Sequence, residues 1–274
     1  MRLPLYQIDA FASSVFRGNP ASVMPLEEWL KDSTLQAIAA ENNQAETAFF
    51  RPGEDDDVFE LRWFTPTVEV PLCGHATLAT AFVLMTEIDP EMEEVGFDTR
   101  SGRLKVTRDG DRFVLDFPAA SLRGADVPAA LSEALGATPV EALRAVTSEA
   151  RPDGNWLLVF KDESDVAGLT PDFRAVLAAL AGEDVGVICT APGRTADFVS
   201  RYFAPAHGIP EDSVTGSAHC LLVPYWAQKL GKDDLHALQI SRRGGELFCR
   251  NRRNRVDIGG RAIKYMEAIA HVPG

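Results

Sequence analysis

Two glycine turns carry the side chains best suited to moving protons. Cys73-Gly74-His75 places a thiol and an imidazole on either side of a glycine, and Asp212-Ser-Val-Thr-Gly-Ser-Ala-His219 places a carboxylate and hydroxyls around a second. Each turn follows an aromatic-x-Pro sequence, Phe64-Thr-Pro66 and Phe203-Ala-Pro205, and each runs into an apolar helical pattern, Leu78–Leu84 and Cys220–Trp226. A glycine turn that opens a helix leaves backbone N–H groups unpaired, and the helix dipole adds affinity for a carboxylate or other anion. Glu46 stands just before the apolar run Ala48-Phe-Phe50 and adds a third proton-carrying group. A carboxylate that takes and returns a proton, assisted by an imidazole, is the chemistry these residue types allow. Each also has a structural reading: Glu46 as a strand residue, His75 as a satisfied buried imidazole, Asp212 as an N-cap, Cys220 as a small core residue.

Other chemistries are disfavoured. Ser217 and His219 do not form a hydrolase pair, because the Gly-x-Ser-x-Gly pattern is missing and side chains two apart diverge on a helix. The five histidines show no metal-binding spacing, and neither the Gly-x-Gly-x-x-Gly fingerprint nor the Walker pattern occurs. No metal and no cofactor is expected. A formal net charge of −13 argues against general affinity for nucleic acid or an anionic membrane. No apolar run reaches the roughly 20 residues of a spanning helix. The N-terminal residues alternate like a strand rather than a secretory signal, which predicts a cytoplasmic protein. The four cysteines are scattered without a C-x-x-C, so free thiols are expected.

The elements that must hold these residues are legible in outline. Leu5–Phe11 alternates as a strand and ends in the turn Arg17-Gly-Asn-Pro20; Ala21–Pro25 is a second extended segment. Asp32–Glu41 reads as a helix with a polar N-cap, closed by Asn42-Asn43. Gln44–Phe50 follows as a strand whose alternation sets Glu46 opposite Ala45 and Thr47. Arg51–Asp57 is an acidic hairpin tip, and Phe59–Phe64 returns from it. After the first glycine turn, Val95–Thr99, Gly102–Val106 and Arg112–Phe117 form an antiparallel series around Asp109-Gly110. In the second half, Val127–Leu135 is a helix capped by Gly136, Pro171–Leu180 is a second, and Asn155–Phe160, Val185–Thr190 and Phe198–Phe203 are strands. Phe64 and Phe203, Gly74 and Gly216, Gly102 and Gly245 are each separated by about 140 residues, the signature of a duplicated α/β unit. Ala262–Ala270 is a last strand-like segment that could return to the first half.

Asp9-Ala-Phe11, Gly18-Asn-Pro20, Asn43-Gln-Ala-Glu-Thr47, Phe64-Thr-Pro66, Leu72–Thr77 and Asp212–His219, taken together, resemble the phenazine-biosynthesis PhzF-like family almost end to end. The resemblance implies the diaminopimelate epimerase-like α+β fold, with two pseudo-symmetric domains, each a barrel-like, mostly antiparallel sheet around a central helix, and a site in the cleft between them. The domains are expected at 1–118, which residues 261–274 could complete, and at 119–260. It further implies a cofactor-independent isomerase in which Glu46 shuttles a proton, His75 and Asp212 assist, and Asn19, Cys73, Gly74, Thr215, Gly216 and Ser217 contact a small anionic metabolite. A homodimer is implied as well. Epimerases of this fold use one cysteine at each glycine turn, whereas this chain has Cys73 at the first and Thr215 at the second. That departure disfavours a thiol-dependent amino acid racemase or epimerase using Cys73. A non-catalytic metabolite-binding protein is the third reading.

Overall fold

The computed structural model describes residues 1–55, 57–147 and 154–273. The chain divides into two compact units, Met1–Phe117 with Asp257–Gly274, and Pro118–Val256. The first begins with strands β1 (Arg2–Ala10) and β2 (Asn19–Pro25), helix α1 (Asp32–Asn42), and strands β3 (Glu46–Pro52), β4 (Val58–Phe64) and β5 (Glu69–Val70). Helix α2 (Gly74–Val83) with its π-helical extension Leu84–Ile88 then leads to β6 (Glu94–Thr99), β7 (Gly102–Asp109) and β8 (Arg112–Pro118). Most neighbouring pairs are antiparallel, but β2–β3 and β4–β6 are parallel. A parallel pair needs a crossover, and α1 and α2 are those crossovers. Asp56, in the acidic hairpin tip between β3 and β4, lies outside the described residues.

Helix α2 is apolar on nearly every side, and His75, Ala76, Thr77, Leu78, Ala79, Thr80, Ala81 and Val83 are all buried. Such a helix belongs inside a core, and it packs against β1, β2 and β3. Two buried threonine hydroxyls are satisfied by bonding back one turn, Thr77 to the Cys73 carbonyl and Thr80 to the Ala76 carbonyl. Strand β3 is covered by α1 as well as by α2, and so Thr47, Ala48, Phe49 and Phe50 are all buried. Side chains on this strand alternate about Glu46 as expected, but burial does not, because both faces of residues 47–50 are covered. The polar N-cap expected for α1 is also corrected. The N-cap is Lys31 without a side-chain bond, and Asp32, one position inside, pairs with Arg62 at 2.9 Å instead. Asn43 does close the helix in the left-handed region, at φ 48°.

The second unit contains β9 (Leu122–Gly124), α3 (Ala129–Leu135), β10 (Glu141–Ala145), β11 (Trp156–Val159), α4 (Glu163–Ala167), α5 (Phe173–Ala179), β12 (Val187–Pro192), β13 (Phe198–Phe203) and β14 (Glu211–Asp212). Helix α6 (Gly216–Leu230), β15 (Asp234–Gln239) and β16 (Gly245–Asn251) follow, and β17 (Arg255–Gly260) carries the chain from the second unit back into the first. The second unit's pairing repeats that of the first. β10–β11, β12–β13 and β15–β16 are antiparallel, β11–β12 and β13–β15 are parallel, and α6 is the crossover of the latter pair as α2 is of β4–β6. The last strand, β18 (Ala262–His271), returns antiparallel to β1, and β9 stands in the same relation to β10. The duplication read from the sequence is thus an equivalence of pairing order. Pro224 lies inside α6 and deprives the Cys220 carbonyl of its helical donor; the Ala120 N–H fills that place at 3.0 Å. Among the described residues, no helix is long and apolar enough to cross a membrane.

The loop between β1 and β2 explains three residues of the sequence motifs. Asp9 is buried and accepts a bond from the Phe16 N–H at 2.7 Å, Phe11 is fully buried, and Gly18 adopts φ +65° just before Asn19. A Cβ on Gly18 would stand 2.0 Å from the Ala10 carbonyl oxygen. Gly18→Ala should therefore destabilise the protein by about 2–5 kcal/mol, the sum of left-handed strain and a backbone clash. Urea unfolding of the two proteins checks this.

Candidate active site

In the first unit the fold brings together residues distant in sequence. Parallel pairing of β2 with β3 sets Glu46 beside Ala21 in register, which places the start of β3 near Asn19 at the start of β2. The first turn of α2 adds His75, and its N-cap is Cys73. His75 Nε2 lies 3.0 Å from Glu46 Oε2, the Asn19 side-chain amide donates to His75 Nδ1 at 3.2 Å, and Cys73 Sγ stands 3.5 Å from the same nitrogen. His75 is 5% exposed and Cys73 6%, while Glu46 is half-buried. With Nδ1 accepting from Asn19, a neutral ring carries its proton on Nε2, towards Glu46. The carboxylate nevertheless lies off the line of that N–H, and both atoms are buried without a directed hydrogen-bond partner. A substrate proton or oxygen could use the free valence, since catalytic hydrogen bonds commonly tighten only when substrate binds.

Burial disfavours an imidazolium at position 75, but the adjoining Cys73 sulfur and Glu46 carboxylate outweigh it and raise the His75 pKa well above 6.5. We attribute the rise chiefly to Glu46. The Cys73 thiol is itself held above its ordinary range, first by burial and then by the same carboxylate, and so is protonated at neutral pH. The N-cap of α2 has no side-chain hydrogen bond, which leaves the amides of its first turn without a side-chain cap. Gly74 is the first residue of that turn.

The equivalent turn in the second unit carries different chemistry. Thr215 is the N-cap of α6, again without a side-chain cap, and Gly216 and Ser217 form the first turn. The Thr215 hydroxyl donates to Asp212 Oδ2 at 2.6 Å. Gln239, at the end of β15, accepts from the Thr215 N–H at 2.8 Å and donates to the Asp212 carbonyl at 2.9 Å and to the Thr215 hydroxyl at 3.2 Å. The turn is thereby fixed from the neighbouring strand, and the Thr215 proton is committed to Asp212. Gln239 escaped the sequence reading together with its whole strand. Its signal was the alternation of Leu235, Ala237 and a buried amide at Gln239. His219 is fully buried beside Phe198 and donates from Nδ1 to the Thr215 carbonyl at 2.9 Å; burial lowers its pKa to about 4.

The sequence matches the profile of the phenazine biosynthesis-like protein family over residues 8–268. It is 50% identical over 273 residues to an uncharacterized isomerase of Pseudomonas aeruginosa, covering 99% of this chain and 100% of that protein. A crystal structure of a PhzF-family phenazine biosynthesis protein from Enterococcus faecalis superimposes with a TM-score of 0.90 at 44% identity, over 99% of this chain and 100% of that one. A hydroxyproline epimerase from Agrobacterium vitis matches with a TM-score of 0.58 over 98% of this chain and 92% of that one; at 12% identity this is a likeness of fold alone.

The two histidines link stability to pH in opposite senses. His75, raised in the folded state, contributes stability that is fully present below about 6.5 and lost as pH rises through its folded value. His219, lowered to about 4, costs stability as pH falls from about 6.5 towards 4, where the unfolded chain binds the extra proton. In a histidine-labelled NMR titration, one ring should titrate above 6.5 in the wild type and move down in Glu46→Gln, while a second stays neutral until about pH 4.

Proposed function

The chain belongs to the phenazine biosynthesis-like family and is an isomerase by that relationship, and we propose that it moves a proton on a small carboxylate-bearing metabolite without a cofactor. The observation that carries this reading is the buried approach of Glu46 to His75, at 3.0 Å. Glu46 takes a proton from a carbon next to a carbonyl or an unsaturated system. The C–H electron pair passes into that conjugated system, and the carboxyl returns the proton at another carbon. His75 faces the carboxylate throughout, and its raised pKa suits it to balance the negative charge that Glu46 regains when it gives the proton back. The uncapped first turn of α2, at Gly74, supplies amides suited to the substrate's carboxylate, and the first turn of α6, at Gly216 and Ser217, is uncapped in the same way and suited to bind an anionic metabolite. Asp212, fixed by Thr215 and Gln239, orients substrate, and Asn19 holds His75 Nδ1.

The thiol-dependent reading has less support. A racemase of that type needs a thiolate on each side of the stereocentre, but burial and Glu46 disfavour the Cys73 thiolate, and the second turn offers a threonine bonded to Asp212.

Small carboxylates that raise the melting temperature can be incubated with the protein in deuterium oxide and followed by mass spectrometry. Glu46→Gln should lower deuterium incorporation by about 10²–10⁴-fold with little change in binding, the size expected on losing the general base. Cys73→Ser should keep the rate within about tenfold, because the thiol is assigned no proton transfer. Wild-type exchange in Glu46→Gln would sink the assignment, and a loss in Cys73→Ser as large as that in Glu46→Gln would favour the thiol.

A further inference from the structure

The donor atoms that meet in the first unit suit a second kind of ligand. Glu46, Cys73 and His75 each present one donor, and the three donor atoms lie within 4.8 Å of one another. We propose that this cluster is a binding site for a thiophilic divalent cation of the zinc class. The set is one sulfur, one imidazole nitrogen and one carboxylate oxygen, the ligand types zinc takes in proteins. The geometry agrees. Zn–S and Zn–N bonds of about 2.3 and 2.0 Å at a tetrahedral angle hold sulfur and nitrogen about 3.5 Å apart. Cys73 Sγ and His75 Nδ1 are 3.5 Å apart before any ion binds. A second observation points the same way: Glu46 Oε2 is buried with no directed hydrogen-bond partner, beside a His75 that is only 5% exposed. Such an oxygen carries a desolvation cost that a cation would relieve.

The ligands are carried by formed backbone elements, at the start of β3 and at the N-cap and first turn of α2, and binding asks only side chains to move. On binding, the Cys73 S–H bond breaks, a sulfur–metal bond forms and the proton leaves to solvent. A metal ion deprotonates a coordinating thiol outright, and so the raised pKa of the free thiol does not prevent the step. The Asn19 amide must turn away from Nδ1, the Glu46 carboxylate becomes the third ligand, and water completes the tetrahedron. An ion held this way occupies the carboxylate that carries the proton and blocks turnover. That block rests on the function proposed for Glu46, whereas the binding does not.

Cobalt chloride titrated into the reduced, chelator-treated full-length protein tests the site. One ion per chain should bind with a thiolate-to-cobalt absorption band, and zinc should displace it. Cys73→Ser should lose the band and bind at least tenfold more weakly, and His75→Asn should behave alike; circular dichroism checks that both variants are folded. Glu46→Gln should keep the band but bind at least tenfold more weakly, and Cys249→Ser should match the wild type. The proposal is overturned by the absence of a saturable band in the wild type, or by wild-type binding in Cys73→Ser or Glu46→Gln. Turnover that persists at full metal occupancy would overturn the block and the role of Glu46, and leave the binding site standing.

Discussion

Everything in the first unit's site depends on bringing Glu46 and His75 out of water together. Neither is cheap to bury alone, because a charge removed from solvent must find an opposite charge or give up its ionisation. The fold meets that demand from three separate elements: β3 presents the carboxylate, the first turn of α2 presents the imidazole, and Asn19 at the head of β2 engages the ring's other nitrogen. The parallel β2–β3 register and the burial of α2 are what make these three points coincide. Gly18, with its left-handed backbone against the Ala10 carbonyl, is the hinge that lets β2 begin there.

The same crossover helix is used twice for different ends. In both units the N-cap carbonyl is engaged by a side chain four residues on, Thr77 on Cys73 and His219 on Thr215, while the N-cap side chain caps nothing. Acceptors are thus satisfied and donors left open, the arrangement an anion-binding helix terminus requires. The side chains then diverge. The first turn gathers ionisable groups that share a field, whereas the second is held by neutral amide and hydroxyl bonds from Gln239 and Thr215 to Asp212, with a histidine that burial keeps uncharged. Duplication supplied the backbone device and divergence gave it two chemistries.

Local pattern carried much of this into the sequence. The period-two strands from Val95 to Phe117, the αL closure at Asn43, the cap at Gly136 and the glycine turns before apolar helices are short-range effects of backbone sterics and hydrophobic periodicity, and so could be read from neighbouring residues. The combination of motifs also made the family recognisable. Where the local reading failed, a tertiary neighbour had intervened. Arg62 pairs with Asp32, which does not cap α1, and cover on both faces made burial continuous along β3 from Thr47 to Phe50.

The sequence by itself thus determined the repeated strand–turn–helix unit, which follows from residue type and near-neighbour spacing, and, through the family resemblance its combined motifs carry, the α+β class and the candidate proton-carrying residues. Only the tertiary structure decided that Glu46 meets His75 at 3.0 Å, that Cys73 joins them as a metal-competent donor, and that Gln239 holds the Asp212 turn. These are contacts between elements far apart in the chain. Their distances are set by strand register and helix burial, which no local spacing encodes.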